Sequence, residues 1–252
     1  MTDYLKELPE KQVAAWYARL AKRMAMEKVN GAPALAPIFL AHWLENRDEK
    51  SVFSFKPPAH LMSSKYVTDV LQDHQKIFLS QKETAAGIIQ GAVTRLRTGS
   101  WNLASQLPLN YHSLVSVGDS LVDLIRIQSK GTPAERDLLT SLRGFQLHSD
   151  VEIKGALISE KPRKVSARIV QWKAYVTDRY DWNYKEYFTV PNPDFGNNSP
   201  GSVRPMDQKL TVYHTNAERL EKAKLAAPYD IKSEPWMVSG AVLDTAVATL
   251  EP

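Results

Sequence analysis

Asp178, Tyr180, Asp181 and Asn183 place two carboxylates, a phenol and an amide at the end of an apolar and aromatic run, Gln171-Trp172-Lys173-Ala174-Tyr175-Val176-Thr177. Carboxylates delivered together by a strand can converge on a divalent cation or hold one proton between them. A phenol between them can orient a phosphate or donate a proton. The same residue types also satisfy backbone groups in turns, so the motif has a structural use beside the chemical one. Other side chains could complete a site. His148, Asp150 and Glu152 alternate along a preceding strand, and His214 with Arg219 follows a long connection. A pocket built from adjacent strands and the loop between them would collect all of these.

Competing chemistries lack their residues. The chain has no glycine-rich phosphate loop, no His-Glu-x-x-His helix and no Gly-x-Ser-x-Gly elbow. A triad of scattered Ser, His and Asp stays open, because such triads are defined by geometry. The absence of cysteine excludes disulfides and thiolate metal sites. A net charge of +4 over 252 residues, with Lys and Arg interleaved among acids, gives no nucleic-acid footprint. Apolar runs such as Ala34 to Leu44 and Ala241 to Leu250 fall well short of the roughly 20 residues of a membrane span. Met1 to Glu7 lacks the basic and then apolar order of a signal peptide. The expectation is a soluble chain without a transmembrane span or signal peptide, carried by another route if it is exported.

The elements that must position these residues divide into two stretches. Residues 1–105 read as a helical N-terminal region and 106–252 as an α+β C-terminal region, together one compact unit. Val13, Trp16, Tyr17, Leu20 and Met24 give a helix from Pro9 to about Val29, which Asn30-Gly31 ends. After Pro33, Leu35, Ile38, Phe39, His42 and Trp43 share one stripe, which makes His42 a hydrogen-bonded core residue. Val52-Phe53-Ser54-Phe55 is a short extended piece. Ser63 or Ser64 caps a helix through Val67, Val70, Leu71, His74, Ile77 and Phe78, and Thr84 to Arg97 is another helix.

Thr132-Pro133-Ala134-Glu135 is a capping box with proline at the first helical position, and Gly144 is the stop. Phe145, Leu147, Val151 and Ile153 then alternate with polar residues, which puts His148, Asp150 and Glu152 on one strand face. After a turn at Lys161-Pro162-Arg163, a second strand from Val165 to Thr177 switches its apolar phase, the mark of a bulge or of burial on both faces. The connection from Asn183 to Gln208 holds Pro191, Pro193, Gly196, Pro200 and Gly201 and suits a lid, with a short strand at Tyr187 to Val190. Leu210 to Tyr213 is a strand. Thr215-Asn216-Ala217-Glu218 is a second capping-box pattern, and its helix must stop before Pro228. Tyr229 to Lys232 is extended, while Val242, Leu243, Ala246, Val247 and Leu250 fall at helical spacing with a strand as the alternative. The fold class expected is α+β, a mostly helical N-terminal half packed on a small antiparallel sheet.

The run from Gln171-Trp172 to Asp178-Arg179-Tyr180-Asp181-Trp182-Asn183, with Ala217-Glu218-Arg219-Leu220 and Ala226-Ala227-Pro228-Tyr229-Asp230-Ile231, resembles the C-terminal region of bacterial proteins associated with antibacterial effector systems, including type VI secretion. Asp178, Tyr180 and Asp181 are also similar to the Asp-x-Tyr-Asp signature of colicin M-type bacteriocins. In those enzymes His-Arg follows shortly, and they cleave a lipid-linked peptidoglycan precursor with a magnesium ion. Here Tyr184 to Phe188 contains no His-Arg, and the next histidine is His214, with Arg219 beyond it. The resemblance implies an effector that acts in the periplasm of a target cell after export from a bacterial cytoplasm. It implies a phosphoester or pyrophosphate hydrolase, with Asp178 and Asp181 on Mg²⁺, Tyr180 on the phosphate, His214 or His148 as base and Arg219 against developing charge. Its partners would be a lipid-linked phosphate substrate and an immunity protein or secretion component. Two other readings stand beside it. Trp172, Tyr175, Tyr180 and Trp182 could anchor a partner of a non-enzymatic adaptor, and the basic helix Lys11 to Lys28 could lie on an anionic membrane.

Overall fold

The computed structural model describes residues 3–80, 107–118, 130–142, 144–160, 163–182, 187–238 and 246–250. Its fold is α+β. The chain passes repeatedly between two compact units, the first formed by Met1–Leu61, Gly118–Phe145 and Thr177–Lys232, the second by Met62–Val117, Gln146–Val176 and Ser233–Pro252. The helix expected over Thr84 to Arg97 and the boundary expected at residue 105 lie outside the described residues, as does the side chain of His74.

Unit 1 begins with helix α1 (Glu10–Ala25), whose Val13, Trp16, Tyr17, Leu20 and Ala21 are buried as the helical period requires. The helix ends at Ala25, with Met26 as its C-cap, short of the expected Val29, so Asn30-Gly31 is not its stop. Strands β1 (Lys28–Val29) and β2 (Ala32–Pro33) pair antiparallel across those two residues, at φ of 50° and 82°. Positive φ at both central positions is the hairpin turn that Asn-Gly favours. Helix α2 (Leu35–Glu45) follows and packs on α1, with Phe39, Leu40 and Trp43 in the core. Its first backbone N–H groups have no local cap. Instead the buried Asp137, on helix α5 (Pro133–Ser141), accepts from Leu35 N and Ala36 N at 2.8 Å each and from His60 Nε2 at 2.9 Å. An anion at a helix N-terminus meets unpaired donors and the positive end of the dipole. Helix α5 carries the expected capping box, Thr132 accepting from Glu135 N while the Glu135 carboxylate accepts from Thr132 N.

Strand β3 (Val52–Phe55) lies in the order β3-β9-β6, where β9 (Tyr229–Ser233) runs antiparallel to the end of β6 (Arg163–Tyr180), Tyr180 facing Tyr229 and Asp178 facing Ile231. Strands β7 (Tyr187–Pro191) and β8 (Lys209–Tyr213) form a separate antiparallel pair. The connection between them is folded rather than loose. Asn192 Nδ2 donates to the carbonyls of Val203, Arg204 and Asp207, and Asp194 holds Val203 N and the guanidinium of Arg19. Helix α6 (His214–Lys222) starts at His214 with Tyr213 as its N-cap, and no side chain caps it. The expected cap at Thr215 is therefore two residues late: strand β8 feeds the helix directly, and Thr215 is already inside it.

Unit 2 contains helix α4 (Lys65–Ser80), capped by Ser64, and the order β6-β5-β4 with β4 (Leu107–Gly118) and β5 (Gly144–Glu160). At 17 and 18 residues, β5 and β6 exceed the small sheet expected. Strands β10 (Trp236–Met237) and β11 (Ala246–Leu250) pair antiparallel with β6. The tail is thus a strand over Ala246 to Leu250, as its β-branched residues allow, while Val242 and Leu243 lie outside the described residues. Along β5, Phe145 and Leu147 are buried and Gln146 and Asp150 exposed, the expected alternation. The phase switch and its turn fall where side chains or backbone lie outside the described residues. Helices are not confined to the N-terminal half, since α5 and α6 lie beyond it. Short helix α3 (Ala59–Met62) carries His60.

Candidate functional site

Strand β6 buries Trp172, Ala174 and Val176, and Asp178 and Tyr180 continue that alternation. The apolar period of the strand therefore sets a carboxylate and a phenol, each half-buried, on the same side of the sheet as Trp172 and Val176. Asp178 lies within the paired strand, and the turn begins only afterwards, where Asp181 N donates to Arg179 O at 3.1 Å. Asp178 comes from the strand and Asp181 from the residue that leaves it.

Burial pushes the Asp178 carboxyl up to about 7, helped by the charge of Asp181 and opposed by a hydrogen bond from its backbone neighbour Arg179. Asp181 is raised by burial as well, against the favourable charges of Arg179 and His214. Arg179 is itself tied to Asp230 at 2.8 Å and to the Glu49 carbonyl. A third acid joins them. Glu221, in α6, is raised by burial and by the charge of Asp181, although Trp43 Nε1 donates to it at 2.9 Å.

Aromatic rings wall the cluster. Trp182 meets His214 edge-on at 5.3 Å, Tyr17 at 5.7 Å and Trp43 at 5.4 Å. Tyr180 stacks on Tyr229 at 5.4 Å and meets Phe39 at 6.0 Å. Burial holds the phenol of Tyr180 well above its usual range, so it stays a donor and is never a base. His42 is packed between Phe53 and Tyr229, and burial lowers its affinity for a proton. Its Nε2, expected to be hydrogen-bonded, has no partner among the described residues, and the ring is held by a tilted contact to Phe53 and an edge contact to Tyr229.

Of the residues singled out in the sequence, Asp178, Tyr180, Asp181 and His214 come together in unit 1. Arg219 does not join them. Its guanidinium donates to the carbonyls of Leu5, Lys6 and Leu8 and to Glu10, fastening the N-terminal segment. His148 belongs to unit 2, where it stacks on Tyr175 at 4.4 Å with the rings 5° apart. Glu221 escaped the sequence reading. The signal was the helical spacing of His214, Ala217 and Glu221, visible only once the helix begins at His214. Trp172 is 3% exposed and supports the sheet, so it is no surface anchor. The face of α1 that carries Val13, Trp16, Tyr17 and Leu20 is likewise spent on the core.

Among the described residues no group of three or more His, Asp or Glu is placed to hold a metal ion. No described helix is long and apolar enough to cross a membrane.

No family model and no curated protein matches the chain. Among solved structures it is similar to PaeM, a colicin M-like bacteriocin produced by Pseudomonas aeruginosa, at 15% identity and a TM-score of 0.28, over 88% of this chain and 54% of that one. The chain spans about half the length of that protein. A likeness of this size fixes neither fold nor activity.

Proposed function

We propose that the chain is an antibacterial toxin that hydrolyses a phosphoester or pyrophosphate bond of a lipid-linked cell-wall precursor in the target periplasm. The observation that carries this reading is that Asp181 is within electrostatic reach of Asp178, Glu221 and His214, with His214 and the protonated phenol of Tyr180 both against the Trp182 ring. Acids of raised proton affinity gathered beside a buried histidine are costly in a purely structural role and occur where protons or cations are handled.

In this reading Asp178 and Asp181 would hold Mg²⁺, which when bound neutralises phosphate charge. His214 takes a proton from the attacking water as its oxygen bonds to phosphorus. Tyr180 donates a hydrogen bond to a phosphate oxygen as the bridging P–O bond breaks. An immunity protein in the producing cell and a type VI route of delivery belong to the same proposal.

The test is growth of a bacterial host with the chain directed to cytoplasm or periplasm, beside Asp181→Ala. Killing confined to the periplasm and lost in the variant, with the thermal midpoint kept, is the expected result. A variant that kills as well as the parent removes the assignment.

A further inference from the structure

Unit 1 carries a second concave feature, an apolar groove of about 620 Å³ between α1 and α2. Its floor follows from the helical repeat. Ala14, Ala18, Ala21 and Ala25 recur every three to four residues along α1, beside the core stripe of Val13, Trp16, Tyr17 and Leu20. Methyl groups alone leave the trough open. Helix α2 is apolar almost all round: Phe39, Leu40 and Trp43 take the core, and Ile38, Ala41 and Leu44 are left to line the groove, Ile38 at 38% exposure. A helix that is apolar on every side expects cover on every side.

The ends of the groove differ. The β1–β2 hairpin reverses the chain, and Tyr17 touches Trp43, so α1 and α2 run antiparallel. Ala25 and Pro33 therefore mark one end, Ala14 and Leu44 the other. At the first end Lys22 is exposed and forms no ion pair among the described residues. At the other, Arg47 donates to the carbonyls of Leu44 and Asn46, and Glu45 brings an opposite charge to the same lining. From Ala14 to Ala25 the groove is about 16 Å long at 1.5 Å per residue. One leaflet of a bilayer, half of a hydrocarbon core of about 30 Å, has the same depth. The volume falls within the roughly 300–1,000 Å³ of small-molecule sites.

We propose that this groove binds a single-chain amphiphile with an anionic head group, its chain along the alanine stripe and its head at Lys22. The site is distinct from the acid cluster and does not depend on the proposed hydrolysis.

Calorimetric titration of the whole protein with myristate tests it. Saturable binding is expected, weakened about tenfold by Lys22→Glu, the size of one lost contact to a charged group. The neutral monoacylglycerol of the same chain length should bind Lys22→Glu as it binds the parent. Ala18→Trp fills the trough, and Ile38→Glu, at an exposed position, puts a charge into it without disturbing the core; both should lose myristate, the second with an unchanged thermal midpoint. Asp181→Ala should bind as the parent does. No saturable binding by the parent, unchanged affinity in Ile38→Glu, binding to phosphatidylglycerol vesicles but not to monomeric myristate, or a dimer that hides Ile38 would each overturn the proposal.

Discussion

Asp194 and Asp178 are carboxylates withdrawn from water, the first fully and the second in part, and unit 1 surrounds them in opposite ways. Asp194, with no exposed side-chain surface, receives a two-pronged guanidinium from Arg19 at 2.7 and 2.9 Å and the N–H of Val203 at 2.8 Å. Burial alone would raise its carboxyl, but these donors together hold it below the usual range. Asp178 has a backbone N–H for company and a second acid for a neighbour, and its carboxyl rises to about 7. Each ion is buried for a reason its partners reveal: the satisfied one fastens a loop, and the strained one has proton affinity to spare for chemistry.

The contrast can be broken at its strong end first. Asp194→Ala leaves the buried Val203 N–H without its acceptor, while Arg19, 38% exposed, can turn to water, and it should cost about 1–3 kcal/mol in urea unfolding. A loss below about 1 kcal/mol, the level of an exposed pair, would show that the clasp is ornamental.

Asp178→Asn sharpens the other end. A carboxyl whose folded value is raised holds its proton in the native state after the unfolded chain has released it. Stability should then fall as pH rises from about 4 to about 7, by up to about 1.4 kcal/mol per pH unit. The asparagine variant should lose that slope and gain stability at neutral pH. Asp194 has the reverse sign, its contribution being present above the ordinary carboxylate range and lost as pH falls through its depressed value. Parallel pH profiles for the parent and Asp178→Asn would contradict the assignment.

Arg219 and Thr132 should give smaller effects. Arg219→Lys removes the fork that gathers the Leu5, Lys6 and Leu8 carbonyls and should lower stability by about 1 kcal/mol while killing persists. A loss of killing without a loss of stability would return Arg219 to the site. Thr132→Ala removes one half of an exposed capping box and should cost roughly 0.5–1 kcal/mol, read as a shift of the unfolding midpoint.

Local rules carried far along this chain. The capping box at Thr132, the strand at Tyr187 and the alternation of β5 are set by near neighbours, and all are visible in the residues. What escaped depends on partners distant in sequence. Nothing near Leu35 announces that Asp137 will cap its helix from 102 positions away. Nothing near Glu221 announces Trp43, 178 positions away. Asn30-Gly31 was misread as a simple stop because a turn and a helix end share the same φ, and only pairing with Ala32-Pro33 separates them. The carboxylate and phenol of β6 were visible as types. Their burial was not, because it follows from continuing a strand phase two steps past its last apolar residue.

Asn192 has a further consequence, which concerns chemical ageing. Its amide nitrogen ties three carbonyls together, so hydrolysis to aspartate would turn the knot of the 192–208 loop into a repulsive acid. Deamidation runs through a cyclic imide that forms when the following backbone nitrogen attacks the side-chain carbonyl. Here that nitrogen belongs to Pro193 and carries no hydrogen to lose. The residue on which the loop depends most is thereby shielded from the commonest spontaneous damage to asparagine, while the exposed Asn30-Gly31 turn, with a glycine nitrogen behind it, has no such protection.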